Sequence, residues 1–368
     1  MDKLRILLLV TDAFGGQGGI AKFNRDLANA LAAQNTVAAV VVVPRKIDAE
    51  VPQILGKVAF VSEAAGSKMR FARTLLSVLR RESFDLVICG HINLLPLAYL
   101  AKAASSSKLL LIIHGIDAWH PTRRRLVNFL ARKVDMFVSV SELTKQRFLS
   151  WTGLSDRQGC VLPNCFAREL FGPGPKNPSL LDRYRLTGRA VLMTCGRLAA
   201  NERYKGVDEM LEILPELSVA VPNVAYLIVG DGDDRLRLEQ KAAALNLDGR
   251  VVFAGFIPEA EKADHYRLAD AYVMPGRGEG FGIVYLEALA CGIPTVGSKL
   301  DGSAEALRGG LLGILVDPND RCEIKRGVME ALSRPKHVPE GLDFFSYENY
   351  RQRVGDLLHR LEDMQQSV

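Results

Sequence analysis

No run of about 18 apolar residues, the length a helix needs to cross a bilayer, occurs in this chain. A membrane-spanning protein is therefore not expected. The opening segment "MDKLRILLLVTDAFGG" has one short apolar run followed by acidic and glycine residues, which is unlike a secretory signal. A C-x-x-C pair is also missing: the six cysteines, Cys89, Cys160, Cys165, Cys195, Cys291 and Cys322, are scattered, most of them in apolar runs. That usage points away from a disulfide scaffold and toward a reducing, cytoplasmic compartment.

What is present is ordinary globular chemistry on a generous scale. The 368 residues suit two domains of roughly 150 to 200 residues better than one. Hydrophobic residues make up 48% and charged residues 24%, ample for two buried cores, and no disorder is expected. The net charge of +5 hides an asymmetry: residues 1–170 hold 23 Lys and Arg against 13 Asp and Glu, the remainder 24 against 29. The basic half is expected to meet something anionic.

Short β-branched apolar runs alternate with longer amphipathic segments, the pattern of parallel sheets covered by helices, so the expected fold class is α/β. In the first half the strands are "LRILLLV", "TVAAVVVV", "FDLVIC", "KLLLIIH" and "DMFVSV", with "IAKFNRDLANALAA" and "SKMRFARTLLSVLRR" among the helices. Residues 171–179, "FGPGPKNPS", pack three prolines and two glycines without apolar periodicity and read as a linker. Beyond them the alternation restarts with "AVLMTC", "VAYLIVG", "RVVFAG", "DAYVMP", "IPTVGS" and "GILVD". Two doubly wound, Rossmann-like domains are expected, residues 1–170 and 180–345. A helix over 346–368 follows, with Ser346 as N-cap, packing back across the interface. Ligands of open α/β sheets bind at the carboxyl ends of the strands, so two such domains imply a cleft between those edges.

The motifs fall at strand ends. "PGRGEGFGIVYLEALA" puts Glu279 in a loop past a strand and Glu287 in the following helix, about 80° apart around its axis. The N–H groups of Gly280, Phe281 and Gly282 stand at the positive end of that helix and suit a phosphate with sugar hydroxyls beside it. The alternative is a glycine-rich turn with a solvated Glu279 and a surface Glu287. "CGRLAANERYKGVDEML" supplies Arg197 past a strand and Lys205 before a helix. Two cations at one strand edge can neutralise a diphosphate and its leaving charge, and Gly196 and Gly206 flank them. Two surface cations are the other reading.

Taken together, these segments resemble the family-4 retaining glycosyltransferases of the GT-B fold, the glycosyl transferases group 1. Glu279 and Glu287 match their E-x7-E element, Arg197 and Lys205 their G-R-L with a downstream K-G, and "VLPNC" resembles their "PNG" segment. "LIVGDGDD", "DGSAEAL", "GILVDPND" and "FSYENY" extend the likeness over nearly the whole chain, with Cys165 in place of a usual glycine and Ala167 where an aspartate is frequent. The resemblance implies that Arg197 and Lys205 bind the donor diphosphate. Glu279 and the amides after it would address the donor sugar, Glu287 the ribose hydroxyls, and "FAGFI" backbone the nucleobase. It also implies that the "GGQGGIAKF" loop, with Gly15, Gly16, Gly18 and Gly19, lies over the donor phosphates, and that His114 of "IIHGIDAWH" faces the transferred sugar.

Ser141 is expected to cap a helix, and Lys145 within that helix is left out of the site. Asp231 and Asp233 form a D-x-D that elsewhere holds a divalent metal, but here they follow a strand and open a helix, so capping is expected and no metal. Gly16-x-Gly18-x-x-Ala21 matches a dinucleotide fingerprint, with Arg45 able to meet an NADP phosphate, so an NADP oxidoreductase is the runner-up. A catalytically silent sugar-binding protein is a third reading.

The expectation is a hexosyltransferase that needs no cofactor beyond a UDP- or GDP-sugar as donor, with closure of the cleft excluding water. It would glycosylate a glycan or lipid-linked acceptor in polysaccharide or glycoconjugate synthesis, retaining the anomeric configuration. Nucleic acid is not an expected partner. Basic side chains on "SKMRFARTLLSVLRR", set among Met69, Phe71, Leu75, Leu76 and Leu79, make an anionic inner-leaflet surface a further expected partner; the alternative is a solvated helix whose apolar stripe faces its own sheet.

Overall fold

The structure, a computed structural model, describes residues 3–14, 18–47 and 54–366. The chain divides into two compact units, one of Met1–Cys165 with Tyr347–Val368, the other of Phe166–Ser346.

The first unit carries β1 (Leu4–Asp12), α1 (Gly19–Ala32), β2 (Val37–Lys46), β3 (Ile54–Leu55), β4 (Val58–Phe60), α2 (Lys68–Arg81), β5 (Leu86–Cys89), α3 (Leu95–Ser105), β6 (Lys108–Ile113), α4 (Arg125–Ala131), β7 (Met136–Ser139), α5 (Glu142–Thr152) and β8 (Gly159–Val161). The strands run β3-β4-β2-β1-β5-β6-β7-β8, all pairings parallel except β3 with β4. Ile6 to Val10 of β1 are wholly buried, as expected of a central strand covered on both faces. On one face Phe71 and Leu75 of α2, Ala98 and Ala101 of α3 and Val127 of α4 share a core with Leu7, Val87, Leu109 and Phe137.

The second unit carries α6 (Pro178–Arg183), β9 (Ala190–Cys195), α7 (Val207–Ala220), β10 (Val224–Val229), α8 (Arg235–Ala244), β11 (Val251–Gly255), α9 (Lys262–Leu268), β12 (Ala271–Met274), α10 (Ile283–Ala290), β13 (Thr295–Ser298), α11 (Ser303–Ala306), β14 (Ile314–Val316) and α12 (Arg321–Ser333). Its sheet is fully parallel in the order β11-β10-β9-β12-β13-β14. From β9 the chain winds outward to β10 and β11, then returns to the other side of β9 with β12. The crevice past β9 and β12 is therefore the topological switch point of this sheet, where open α/β folds take their ligands.

Two sequence boundaries shift. Residues 171–177 form no regular element, yet the segment is stitched into the second unit: Phe171 is buried, Gly172 O accepts from Arg267 Nε at 2.9 Å, and Lys176 pairs with Asp270 at 2.8 Å. The division between units falls at Cys165/Phe166, earlier than the proline-rich stretch suggests. The last helix, α13 (Tyr347–Gln366), belongs to the first unit, where Tyr350 meets Phe23 edge-on and Arg351 O accepts from Gln34 Nε2 at 3.0 Å.

Candidate active site

At the switch point of the second unit, β9 ends at Cys195 and the chain continues through Gly196 and Arg197 into a polar loop that closes with Lys205 and α7. Gly206 makes the join: its φ is +84°, and a Cβ there would lie 2.4 Å from Pro275 O, so a side chain is excluded by both strain and space. One carboxylate gathers both cations. Glu202 Oε2 lies 2.7 Å from Lys205 Nζ, and its Oε1 pairs with Arg197. Lys205 is mostly buried, whereas Arg197 keeps 67% of its side-chain exposure, so a solvent-facing guanidinium stands beside a mostly buried ammonium.

From the neighbouring strand β12 the chain runs through Pro275 to Gly282, the N-cap of α10. Asp301 Oδ2 accepts the Glu279 N–H at 3.0 Å, and Asp301 Oδ1 accepts from Ser303 N at 3.0 Å, tying the loops after β12 and β13 together. Burial raises the Glu279 carboxyl above its usual range; Lys205 and Arg197 pull it down, Asp301 and Glu202 push it up. Glu279, Lys205, Arg197, Glu202 and Asp301 thus form one electrostatic cluster. Among the described residues nothing accepts from the N–H groups of Gly280, Phe281 and Gly282, which leaves them open to an anion.

Glu287 sits apart from that loop. It is wholly buried, not a surface residue, with Tyr266 OH 2.8 Å from Oε2 and Lys262 Nζ 3.1 Å away. Burial alone would lower the Lys262 ammonium, and Glu287 reverses that, so it is held charged. Lys262, 18% exposed, is the member of this trio that meets solvent.

Two family models span most of the chain: one described as Glycosyltransferase Family 4 matches residues 17–169, one described as Glycosyl transferases group 1 matches residues 185–341. A GDP-mannose-dependent alpha-(1-6)-phosphatidylinositol monomannoside mannosyltransferase of Mycolicibacterium smegmatis is 32% identical over 74% of this chain and 76% of its own length. The chain is a member of glycosyltransferase family 4. One phosphatidylinositol N-acetylglucosaminyltransferase subunit, from Arabidopsis thaliana, is 26% identical over 70% of this chain and 56% of its own length. Among solved structures, Anabaena HepE in complex with UDP and glucose superposes with a TM-score of 0.77 at 21% identity, covering 97% of this chain and 99% of that one. Sucrose-phosphate synthase from Thermosynechococcus elongatus gives 0.81 at 20%, covering 98% and 100%. The fold is GT-B, and the family makes this chain a nucleotide-sugar-dependent hexosyltransferase. The oxidoreductase reading falls with that match.

In this family-4 chain the structure brings Arg197, Lys205, Glu279 and the amides of Gly280, Phe281 and Gly282 to one crevice. Gly18, Gly19 and His114 lie on the first unit, and Gly15 and Gly16 fall outside the described residues. Gly18 is the N-cap of α1 in extended conformation and Gly19 its first residue. His114 Nε2 lies 2.9 Å from Gly90 O, and its ring stands edge-on to Phe23. Burial lowers its pKa to about 4, so the imidazole is neutral and donates that bond. Beside it, Asp117 Oδ2 lies 3.9 Å from His91 Nε2, and burial raises the Asp117 carboxyl to about 7.

Asp231 and Asp233 do not cap α8, contrary to expectation. Asp234 occupies the N-cap position in helical conformation, and its side chain pairs with Arg203 and Arg237 and makes no capping bond. Asp233 Oδ1 instead accepts Ala200 N at 2.8 Å, and Asp231 accepts Gly232 N and pairs with Arg235. Ser141 caps α5 through Thr144 N at 3.1 Å, and Lys145 pairs with Asp156 at 2.7 Å. Sequence reasoning missed Glu202, Asp301 and Lys262. The i,i+3 spacing of Glu202 and Lys205 and the place of Asp301 at the head of "DGSAEAL" are signals that could have found two of them.

Proposed function

We propose that this chain transfers a hexosyl residue, with mannose from GDP-mannose as the first candidate, to a hydroxyl of a lipid-linked acceptor. The names of its mannosyltransferase and phosphatidylinositol-directed relatives support donor and acceptor class. The observation that carries the reading is the convergence of Arg197 and Lys205 on Glu202 beside Glu279. A diphosphate arriving there displaces Glu202 from the two cations and finds a preformed cationic seat, with the open N–H groups of Gly280 to Gly282 on its far side. A UDP-sugar is the second candidate, favoured by the UDP complex of the structural neighbour.

In the reaction the bond from the anomeric carbon to the diphosphate oxygen breaks, and the acceptor oxygen bonds that carbon. The acceptor proton passes to the departing phosphate. Arg197 and Lys205 stabilise the charge that develops. We assign Glu279 and His114, the latter neutral and donating to Gly90 O, to the transferred sugar. We assign Gly16, Gly18 and Gly19 to the donor phosphates. We assign Glu287 to the ribose hydroxyls, which would compete with Lys262 and Tyr266 for its carboxylate. Attack on the face the leaving group vacates retains the anomeric configuration, and no metal or further cofactor takes part. The enzyme works in glycoconjugate or polysaccharide synthesis at the cytoplasmic face of a membrane, to which the unpaired cations of α2 hold it.

Thermal unfolding with GDP-, UDP- and ADP-sugars tests the donor. GDP-mannose at a hundred times its Kd is expected to stabilise by about 2.7 kcal/mol, and radiolabelled mannose should then appear in the lipid phase. Protection by NADPH alone, or by no nucleotide, would sink the reading, and binding without turnover would favour a silent sugar-binding protein.

A further inference from the structure

The ten cations of α2 and the α4 region are anomalous within this molecule. In the second unit basic side chains are largely matched: Arg237 with Asp208 and Asp234, Lys241 with Asp208 and Glu212, Lys299 with Glu323. In the first unit Lys68, Arg70, Arg73, Arg80 and Arg81 on α2, and Arg123, Arg124, Arg125, Arg132 and Lys133 around α4, have no carboxylate partner among the described residues. Segments 64–81 and 118–134 contain no acidic residue at all. Such clustering costs self-repulsion that no ion pair among the described residues offsets.

The same helices leave apolar side chains in water. Leu126 and Phe129, three apart and so on one face of α4, are 58% and 53% exposed; Met69 of α2 is 66% exposed and Leu100 of α3 43%. Helix α3 packs between α2 and α4 on the same face of the sheet, so these residues share one surface. Lys133 Nζ lies 4.3 Å from the Phe129 ring centroid, its charge beside the ring.

We infer that the face built by α2, α3 and α4 docks on an anionic phospholipid bilayer, with Leu126 and Phe129 of α4 entering it. The inference rests on the lipid-linked acceptor and membrane attachment proposed above, and adds a second anchor of a different kind. Apolar groups ringed by unpaired cations match an interface that offers anionic headgroups outside and hydrocarbon a few ångströms in. Basic charge alone holds a protein on that surface; Leu126 and Phe129 fix its depth and tilt.

The test uses the full chain and vesicles of phosphatidylcholine with or without phosphatidylglycerol. The double variant Leu126→Ser, Phe129→Ser should bind anionic vesicles at least about tenfold more weakly, a loss of about 1.4 kcal/mol. Its unfolding temperature and its transfer to a detergent-dispersed acceptor should be unchanged. Phe129→Trp should gain a blue-shifted emission quenched by brominated lipid, beyond the signal of Trp119 and Trp151 in the parent protein. Vesicle binding that falls on reversing Arg70, Arg73, Arg80 and Arg81 to Glu but ignores both α4 variants would overturn this inference and leave the membrane reading intact. No vesicle binding by the parent protein defeats both, and a dimer that Phe129→Ser dissolves would assign the face to a second copy of the chain.

Discussion

Lys205 Nζ stands 2.7 Å from Glu202 Oε2, and the other oxygen of that carboxylate holds Arg197. On the donor site proposed above, Glu202 occupies, as an internal anion, the place in which a diphosphate would meet the same two cations. The contact with Glu202 holds both cations together, with Lys205 already largely out of water, before the ligand arrives.

Lys205→Ala is expected to lower kcat/KM at least about a hundredfold, the scale of losing one preorganised electrostatic partner. Its thermal midpoint should stay within a few degrees, since Lys205 lies on a strand-end loop outside the core. Glu202→Gln should leave Arg197 and Lys205 unrestrained and raise KM for the donor. Steady-state kinetics separate the two, and an active Lys205→Ala enzyme would refute the diphosphate assignment.

The buried Glu287 carboxylate depends on Lys262 for its nearest charge. Removing that partner by Lys262→Met leaves the anion buried and uncompensated, at a cost of about 3 to 5 kcal/mol. Glu287→Gln should cost less, because Lys262 can turn toward solvent. In a denaturation cycle the double variant should be at least about 1 kcal/mol more stable than the sum of single losses requires; additive losses would mean the contact carries nothing.

His114 gives the fold an acid-sensitive term. Burial depresses its folded pKa to about 4 from an ordinary 6.5, so the unfolded chain takes up the proton first. The stability contributed by keeping the ring neutral is complete above pH 6.5 and is lost as pH falls from there to about 4. Between those limits the parent protein should lose on the order of 3 kcal/mol more than His114→Gln. Urea titrations at each pH measure it, and parallel curves for the two proteins would remove His114 as the cause.

Chelation should leave the rate unchanged. Asp231 and Asp233, the one D-x-D after a strand of this unit, already serve Gly232 N, Arg235 and Ala200 N. Loss of activity in EDTA with recovery in Mg²⁺ or Mn²⁺ would show that a metal displaces those bonds.

The strand-end motifs were legible because they are local. A glycine-rich turn between strand and helix announces itself in a few adjacent residues, and the switch point of the second sheet places Arg197 and Glu279 at neighbouring strand ends. The environment of Glu287 was not legible, since it is made by Lys262 and Tyr266, more than twenty positions away in sequence and on another helix. Asp301 escaped for the same reason, reaching Glu279 N across 22 positions. Strands as short as Val58–Phe60 and Gly159–Val161 exist by pairing with longer neighbours and leave almost no periodic trace. The apolar stripe of α2 does face its own sheet, through Phe71 and Leu75, while Met69 and Leu76 stay exposed; periodicity alone does not separate those two sets.

The first unit is interrupted: its sheet ends at residue 161 and its last helix begins at Tyr347, with the whole of the second unit between. Emerging from a ribosome, such a chain displays its first sheet long before α13 exists to cover Phe23, while residues 166–346 are a continuous segment that can complete its own core at once. The second unit can therefore be complete in sequence before the first, although its synthesis starts later. Phe166 pairs with Ser346 in a parallel bridge, so the two points of departure are neighbours. A few residues joining 165 to 347 would release the second unit as a stand-alone protein and leave the first closed on itself.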